Sequence, residues 1–293
     1  MNASTPHAAL AAADTSHLSA LPIIEKWVSF DTVSRDSNLA LLDWTESYLN
    51  NLGIQCSRTY DDSGLKANLW ATLPAHDGET KVGGIVLSGH TDVVPVDGQP
   101  WDTDPFKVEI KADKAFGRGV TDMKSFGAIC LMMVPELLKR KLKRPIHLAF
   151  SYDEEVGCIG VRRMIADMQA QGFKPAGCIV GEPTGMQVVI AHKGKHSYKT
   201  TVHGFEAHSS LTPLGVNAVE IACEFVANLK SMHRELVQNG PFDPIYDVPH
   251  TTIHTGVIEG GTALNIIPRD CDVTWEIRHH HMNSPEALFA QAK

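Results

Sequence analysis

No run of eighteen or so consecutive apolar residues occurs in this sequence, so a membrane-spanning helix is not expected. Cysteine is sparse and scattered. Cys56, Cys130, Cys158, Cys178, Cys223 and Cys271 form no C-x-x-C pair and none of the close spacings of a zinc finger or disulfide scaffold, and they read as reduced thiols. A positive excess is also lacking: 26 Lys and Arg stand against 34 Asp and Glu, a net charge of −8. The electrostatic footprint of a nucleic-acid or anionic-lipid binder is therefore missing, and neither partner is expected. The alanine-rich start, Met1 to His17, has neither the basic beginning nor the long apolar stretch of a secretory signal. Together with the reduced thiols this points to the cytoplasm. What remains is an ordinary folded composition, 43% apolar and 20% charged, in a chain of 293 residues that suffices for two domains.

Leu21 to Val28 and Leu39 to Leu52 carry apolar residues at helical spacing, the second ending at Gly53. Short apolar runs of the kind that form buried strands follow at Gly84 to Ser88, Ile146 to Ser151 and Cys178 to Gly181. An apolar helix is expected from about Lys124 to Lys141, basic at its end as the helix dipole favours. This alternation implies an α/β domain on a mostly parallel sheet with ligands gathered at the carboxyl ends of the strands. From Lys195 the pattern changes. A strand (Lys195 to His203), a helix (Val216 to Met232), two strands (Thr251 to Glu259, Cys271 to His279) and a helix (Ser284 to Ala292) suggest a separate α+β domain of the split-βαβ kind, one strand short. The expected division is 1–193 and 194–293.

Each of the three apolar strands runs into chemically loaded residues: Ser88-Gly89-His90-Thr91-Asp92, Tyr152-Asp153-Glu154-Glu155 and Gly181-Glu182-Pro183-Thr184. Residues two apart on a strand share a face, so His90 can bind a metal while Asp92 holds its imidazole. Asp122, in the glycine-rich loop Gly117 to Lys124, reads either as a helix cap or as a carboxylate bridging two ions. Glu154 and Glu155 are adjacent and diverge, so one can bind metal while the other serves as a general base. Three strand ends and one helix start thus deliver His, Asp and Glu to one sheet edge. Such a set suits zinc, and two ions about 3.5–4 Å apart suit hydrolysis. The run His279-His280-His281 reads as a solvated strand edge rather than a metal site, and Met123, Met132 and Met133 as core filler.

These runs, with Trp101 to Pro105, Gly117-Arg118-Gly119 and Asp122-Met123-Lys124, resemble the dizinc aminoacylase and carboxypeptidase family from about Leu21 onward. Its members include acetylornithine deacetylase, succinyl-diaminopimelate desuccinylase and glutamate carboxypeptidases. Ala191 to Gly194, Gly204 to Ser210 and Gly215 to Ala218 look most like the acetylornithine deacetylase branch. The resemblance implies a metallohydrolase domain with helices on both faces of its sheet and an inserted lid or dimerisation domain. It implies two divalent ions, zinc first and cobalt second. His90 and Glu182 would hold one ion and Glu155 the other, with Asp122 bridging them. Asp92 would orient His90, and Glu154 would be the general base and acid. His208 would stabilise the oxyanion, in dimeric members from the partner subunit. Asn265 and Arg278 would bind substrate, a guanidinium suiting the α-carboxylate.

The implied reaction is hydrolysis of the amide of an N-acyl amino acid, N2-acetyl-L-ornithine first, in arginine biosynthesis, by a cytoplasmic homodimer. Desuccinylation of a diaminopimelate derivative and hydrolysis of a small dipeptide are the alternatives within the same chemistry, and a non-catalytic binding homologue is the alternative outside it. Family members continue for roughly ninety further residues, which close both domains and supply a final His. The expectation for this chain is therefore a C-terminally truncated form with one firm metal, a weaker second one, and low or no activity.

Overall fold

The computed structural model describes residues 19–293, so the alanine-rich start read above lies outside the described residues. The chain forms two compact units, one ending at Met186 and the other spanning Gln187–Lys293.

The first unit opens with α1 (Leu21–Val28), where Pro22 presets the first helical turn, and α2 (Leu39–Asn51). Leu41, Leu42, Thr45 and Leu49 recur on one face of α2 and are buried, and Gly53 leaves that helix with φ +80°. The strands β1 (Cys56–Tyr60), β2 (Ala67–Leu73) and β3 (Ile85–His90) follow. Next come the hairpin strands β4 (Glu109–Lys111) and β5 (Lys114–Phe116), the helix α3 (Ser125–Leu138), the strand β6 (Ile146–Ser151), the helix α4 (Ile159–Ala170) and the strand β7 (Gly177–Val180). Five strands lie in the order β1-β2-β6-β3-β7. The strands β6, β3 and β7 run parallel, while β1–β2 and β2–β6 are antiparallel.

Side chains alternate across β2. Leu69, Ala71 and Leu73 join Trp27, Leu41, Leu42, Leu131 and Phe150 on one face, and Trp70 joins Met164 and Met168 of α4 on the other. Helices therefore cover both faces, as the resemblance implies, and each fully buried Leu contributes about 1.5–3 kcal/mol. The sequence reading passes over β1 and β2. β1 is a half-exposed polar strand, and β2 is an apolar stretch without flanking motifs. Met123 is buried and Met132 and Met133 are partly so.

The second unit contains β8 (Gly194–His203), α5 (Ala218–Asn239), β9 (Thr252–Gly260), β10 (Asp270–His279) and α6 (Pro285–Ala292). β10 lies between β8 and β9 and is antiparallel to both, which is the split arrangement expected. The Asn217 side chain caps α5 by accepting from Val219 and Glu220 N–H, and Ser284 caps α6 by accepting from Ala287 N–H. Ala222, Leu229 and Met232 of α5 pack on Val273, Trp275 and Ile277 of β10. The other sheet face is polar, with Lys199 and Thr201 on Asp272 and Arg278 on Glu276.

The histidine run departs from the solvated edge expected. His280 is buried, its Nε2 is 3.0 Å from the Pro241 carbonyl, and its ring stacks on Tyr246. The reason is that β10 ends at His279, so the next residue is free to turn inward. None of the three histidines joins a metal-competent group among the described residues. No helix of the described residues is long and apolar enough to cross a membrane.

Candidate metal centre

Because β3, β6 and β7 are parallel neighbours, their carboxyl ends share one edge of the sheet. β3 ends on His90, Glu154 and Glu155 follow the end of β6, and Glu182 follows the end of β7. Asp122 enters from an irregular turn, Val120–Lys124, that precedes α3. It has extended backbone angles (φ −121°, ψ 97°), and the N-cap position of α3 is Lys124, so the cap reading fails.

His90 is 2% exposed, and its Nδ1 donates to the Asp92 carbonyl at 2.8 Å. That leaves Nε2 facing Asp122 Oδ1 at 3.0 Å and Glu154 Oε2 and Glu182 Oε1 at 3.8 Å each. Two groups have all ligand atoms within 4.8 Å of one another: His90 with Glu154 and Glu182, and His90 with Asp122 and Glu155. Glu154 and Glu155 diverge, one into each group.

The Asp92 carboxylate lies 3.5 Å from Nδ1, close enough to favour the charged imidazole, while the shorter contact of that nitrogen is to the Asp92 carbonyl. The carboxylate oxygens also accept from Ser34 Oγ at 2.6 Å and from the backbone N–H groups of Glu154 and Glu155 at 3.0 and 3.2 Å. Asp92 thus anchors the turn that carries both glutamates. Behind it, Lys66 Nζ donates to the Asp153 carboxylate at 2.7 and 2.9 Å and to the Ser34 carbonyl. Cys158 Sγ donates to Glu154 Oε1 at 3.2 Å. Sequence reasoning missed Ser34 and Lys66, whose partners are 58 and 87 residues away. Cys158 lies four residues from Glu154, and its proximity was the only available signal.

The electrostatics describe a surplus of negative charge. Burial, reinforced by Asp122 and Glu154, pushes the Glu182 carboxyl up to about 7, and burial with the Asp122 charge also raises Glu155. Burial pulls His90 down, but Asp92 and Asp122 outweigh it and lift the imidazole to about 10. The Asp92 carboxyl is held low, burial being outweighed by the hydrogen bonds from His90, Ser34 and Glu154 N–H. Burial and the Glu154 hydrogen bond push the Cys158 thiol up to about 11, which keeps it in the donor form in the metal-free protein. Carboxylates crowded around one imidazole fit a divalent cation, and the N/O donor set suits zinc or its neighbours.

The remaining predicted residues lie in the second unit. His208 accepts the Ser210 N–H on Nδ1 at 3.2 Å, and Ser209 N–H donates to the Asn265 carbonyl at 3.0 Å, so the structure brings the His208 and Asn265 segments together. Arg278 is not with them. It stands near the far end of β10, eight residues beyond Asp270 and so about 27 Å along the strand, in a cavity of about 640 Å³ shared with His192, Lys193, Tyr246 and Thr252.

Residues 86–292 match peptidase family M20/M25/M40. A curated acetylornithine deacetylase from Yersinia pseudotuberculosis is 34% identical over 249 residues, covering 85% of this chain and 63% of that protein. The chain thus spans less than two thirds of the curated relative's length. Among solved structures, an M20 family metallo-carboxypeptidase from Sulfolobus solfataricus superposes with a TM-score of 0.74 at 17% identity, covering 93% of this chain and 74% of that one. A dinuclear metal binding peptidase of the M20 family from Bacillus subtilis has a TM-score of 0.56 at 13% identity, covering 92% and 65%.

Proposed function

The chain belongs to peptidase family M20/M25/M40, and from that premise we propose that it carries the site of a metal-dependent amidohydrolase acting on N-acyl amino acids, with N2-acetyl-L-ornithine the first substrate. The observation that carries the reading is the pair of groups sharing His90, with Glu154 set beside Glu155 on one turn. His90, Glu182, Asp122 and Glu155 are the residues that would hold the divalent ions, Asp122 being the one proposed to be shared. Divalent ions bound there supply polarisation of the amide carbonyl and acidification of water.

Glu154 takes the proton of the attacking water and returns it to the departing amine nitrogen, so that one carboxylate serves as base and then acid. Asp92 holds the backbone of Glu154 and fixes its starting point. His208 is proposed as a donor to the developing oxyanion. Its surroundings support this: Nδ1 is an acceptor, so a neutral ring carries its proton on Nε2. The proposal extends to Asn265 and Arg278 as substrate-binding groups, to zinc or cobalt as the ions, and to a cytoplasmic homodimer.

The test is metal content per chain together with acetate release from N-acetylornithine, run beside N-succinyl-diaminopimelate and a dipeptide. It is made on this chain and on a form with the length of its curated relatives. Glu154→Gln is expected to keep the metal and lose most turnover. Normal turnover by E154Q refutes the base assignment, and absence of bound metal in both forms refutes the hydrolase reading.

A further inference from the structure

The turn after β6 brings Cys158 back onto Glu154. Glu154's carbonyl accepts the N–H of both Gly157 and Cys158 at 2.9 Å, and Asp153's carbonyl accepts that of Ile159 at 3.0 Å. Closing the turn puts Cys158 at φ +53°, a left-handed conformation that a side-chain-bearing residue adopts rarely and glycine adopts freely. Gly157 precedes it, yet the left-handed N-cap position of α4 is held by a cysteine. The consequence is a thiol 3.2 Å from Glu154 Oε1, while Glu154 Oε2 lies 3.8 Å from His90 Nε2. An ordinary thiol is largely protonated at neutral pH, so it can act as donor to the carboxylate.

We infer that Cys158 is a positioning residue: its S–H holds Glu154 Oε1, fixes the carboxylate rotamer, and leaves Oε2 as the oxygen that exchanges the proton. This rests on the assignment of Glu154 as general base. The two oxygens of a free carboxylate are equivalent, and a donor on one of them selects the other. A thiol is a weak donor, so it orients the carboxylate without tying up its negative charge. The contact is local, made within four residues of one turn.

Two measurements test it. Infrared spectra of the metal-loaded protein in the S–H stretching window isolate the Cys158 band as the difference from Cys158→Ser, and need no turnover. In Glu154→Ala that band is expected at higher frequency, because a donated S–H bond is weaker than a free one; an unmoved band overturns the inference. In the assay on the form with the length of the curated relatives, Cys158→Ala is expected to lower kcat about 3- to 10-fold at unchanged KM and metal content, with Cys158→Ser restoring it through its hydroxyl. Cys158→Gly relieves the left-handed backbone while removing the thiol, and the same loss is expected; wild-type kcat in C158G makes the role purely one of backbone and overturns the inference. Failure of the underlying reading looks different, since it would show as an active E154Q.

Discussion

Asp92 Oδ1 accepts the backbone N–H of Glu154 at 3.0 Å across 62 residues of sequence. The residue expected to serve the imidazole therefore also sets where the glutamate turn begins. Its second oxygen accepts from Ser34 Oγ and Glu155 N–H. Asp92→Asn puts an amide N–H₂ where one of these donors points and leaves a buried donor opposed by another donor. Metal affinity or turnover is expected to fall about 10- to 100-fold with the fold intact. Equilibrium dialysis with circular dichroism checks this, and unchanged affinity and turnover would remove the anchoring role.

Gly181 lies flat against the ring of Phe126. A Cβ added there would come within 2.0 Å of the ring, and one added at Gly89 would come within 2.9 Å of the Met123 methyl. Small residues at these strand ends let the start of α3 sit directly on the sheet. Gly181→Ala must move either Phe126 or the strand end that carries Glu182, at a cost of about 1–3 kcal/mol. Thermal unfolding should register the destabilisation and dialysis a weaker metal affinity; an alanine accepted with neither change would mean that the contact is loose.

Metal binding should displace a proton. Burial and the neighbouring carboxylates raise Glu182 to about 7, so near pH 6 it is largely protonated in the metal-free protein and must ionise to bind a cation. Calorimetric titration in buffers of different ionisation enthalpy is expected to show more proton release near pH 6 than at pH 8, and in Glu182→Gln that pH-dependent part is lost while the proton of His90, lifted to about 10, is still released. The same raised carboxyl adds stability to the metal-free protein below its ordinary value near 4.5, and that contribution fades as pH rises through about 7.

His147 offers a pH effect away from the metal groups. It is fully buried in β6, with Nδ1 2.9 Å from Thr72 Oγ1 and Nε2 without a partner among the described residues. Burial lowers its pKa below the usual 6.5. The unfolded chain therefore takes up the proton first, so the stability from this group is complete above pH 6.5 and is lost as pH falls toward the folded value. Denaturant midpoints measured from pH 5 to 8 are expected to rise with pH, less steeply in His147→Leu. Parallel profiles for the two proteins would exclude His147 as the source.

The part of the fold that carries the candidate ligands was legible because β3, β6 and β7 are short apolar runs and each is followed at once by His, Asp or Glu. The antiparallel half of the sheet was not. β1, Cys-Ser-Arg-Thr-Tyr, has no apolar periodicity, and its pairing with β2 is decided by tertiary contact. Types and positions of the metal-competent side chains could be read from strand ends, but not what holds them. Ser34 and Lys66 reach the site from loops with no motif, and Cys158 was set aside because its spacing to other cysteines meant nothing. Its spacing to Glu154 was the informative one. His280 shows the opposite error, a polar run taken for surface although the chain turns its middle member inward.

The Phe126 ring also acts as a gauge. It rests on Gly181, one residue before Glu182, and stands four residues after Asp122, so its thickness fixes how closely the strand end approaches the start of α3. A spacer of packed carbon does not titrate and compresses little. An apolar side chain that offers no donor atom can therefore fix where a ligand-bearing strand end sits, and Phe126→Leu is expected to let the Gly181 end of the strand shift while leaving every donor atom in place.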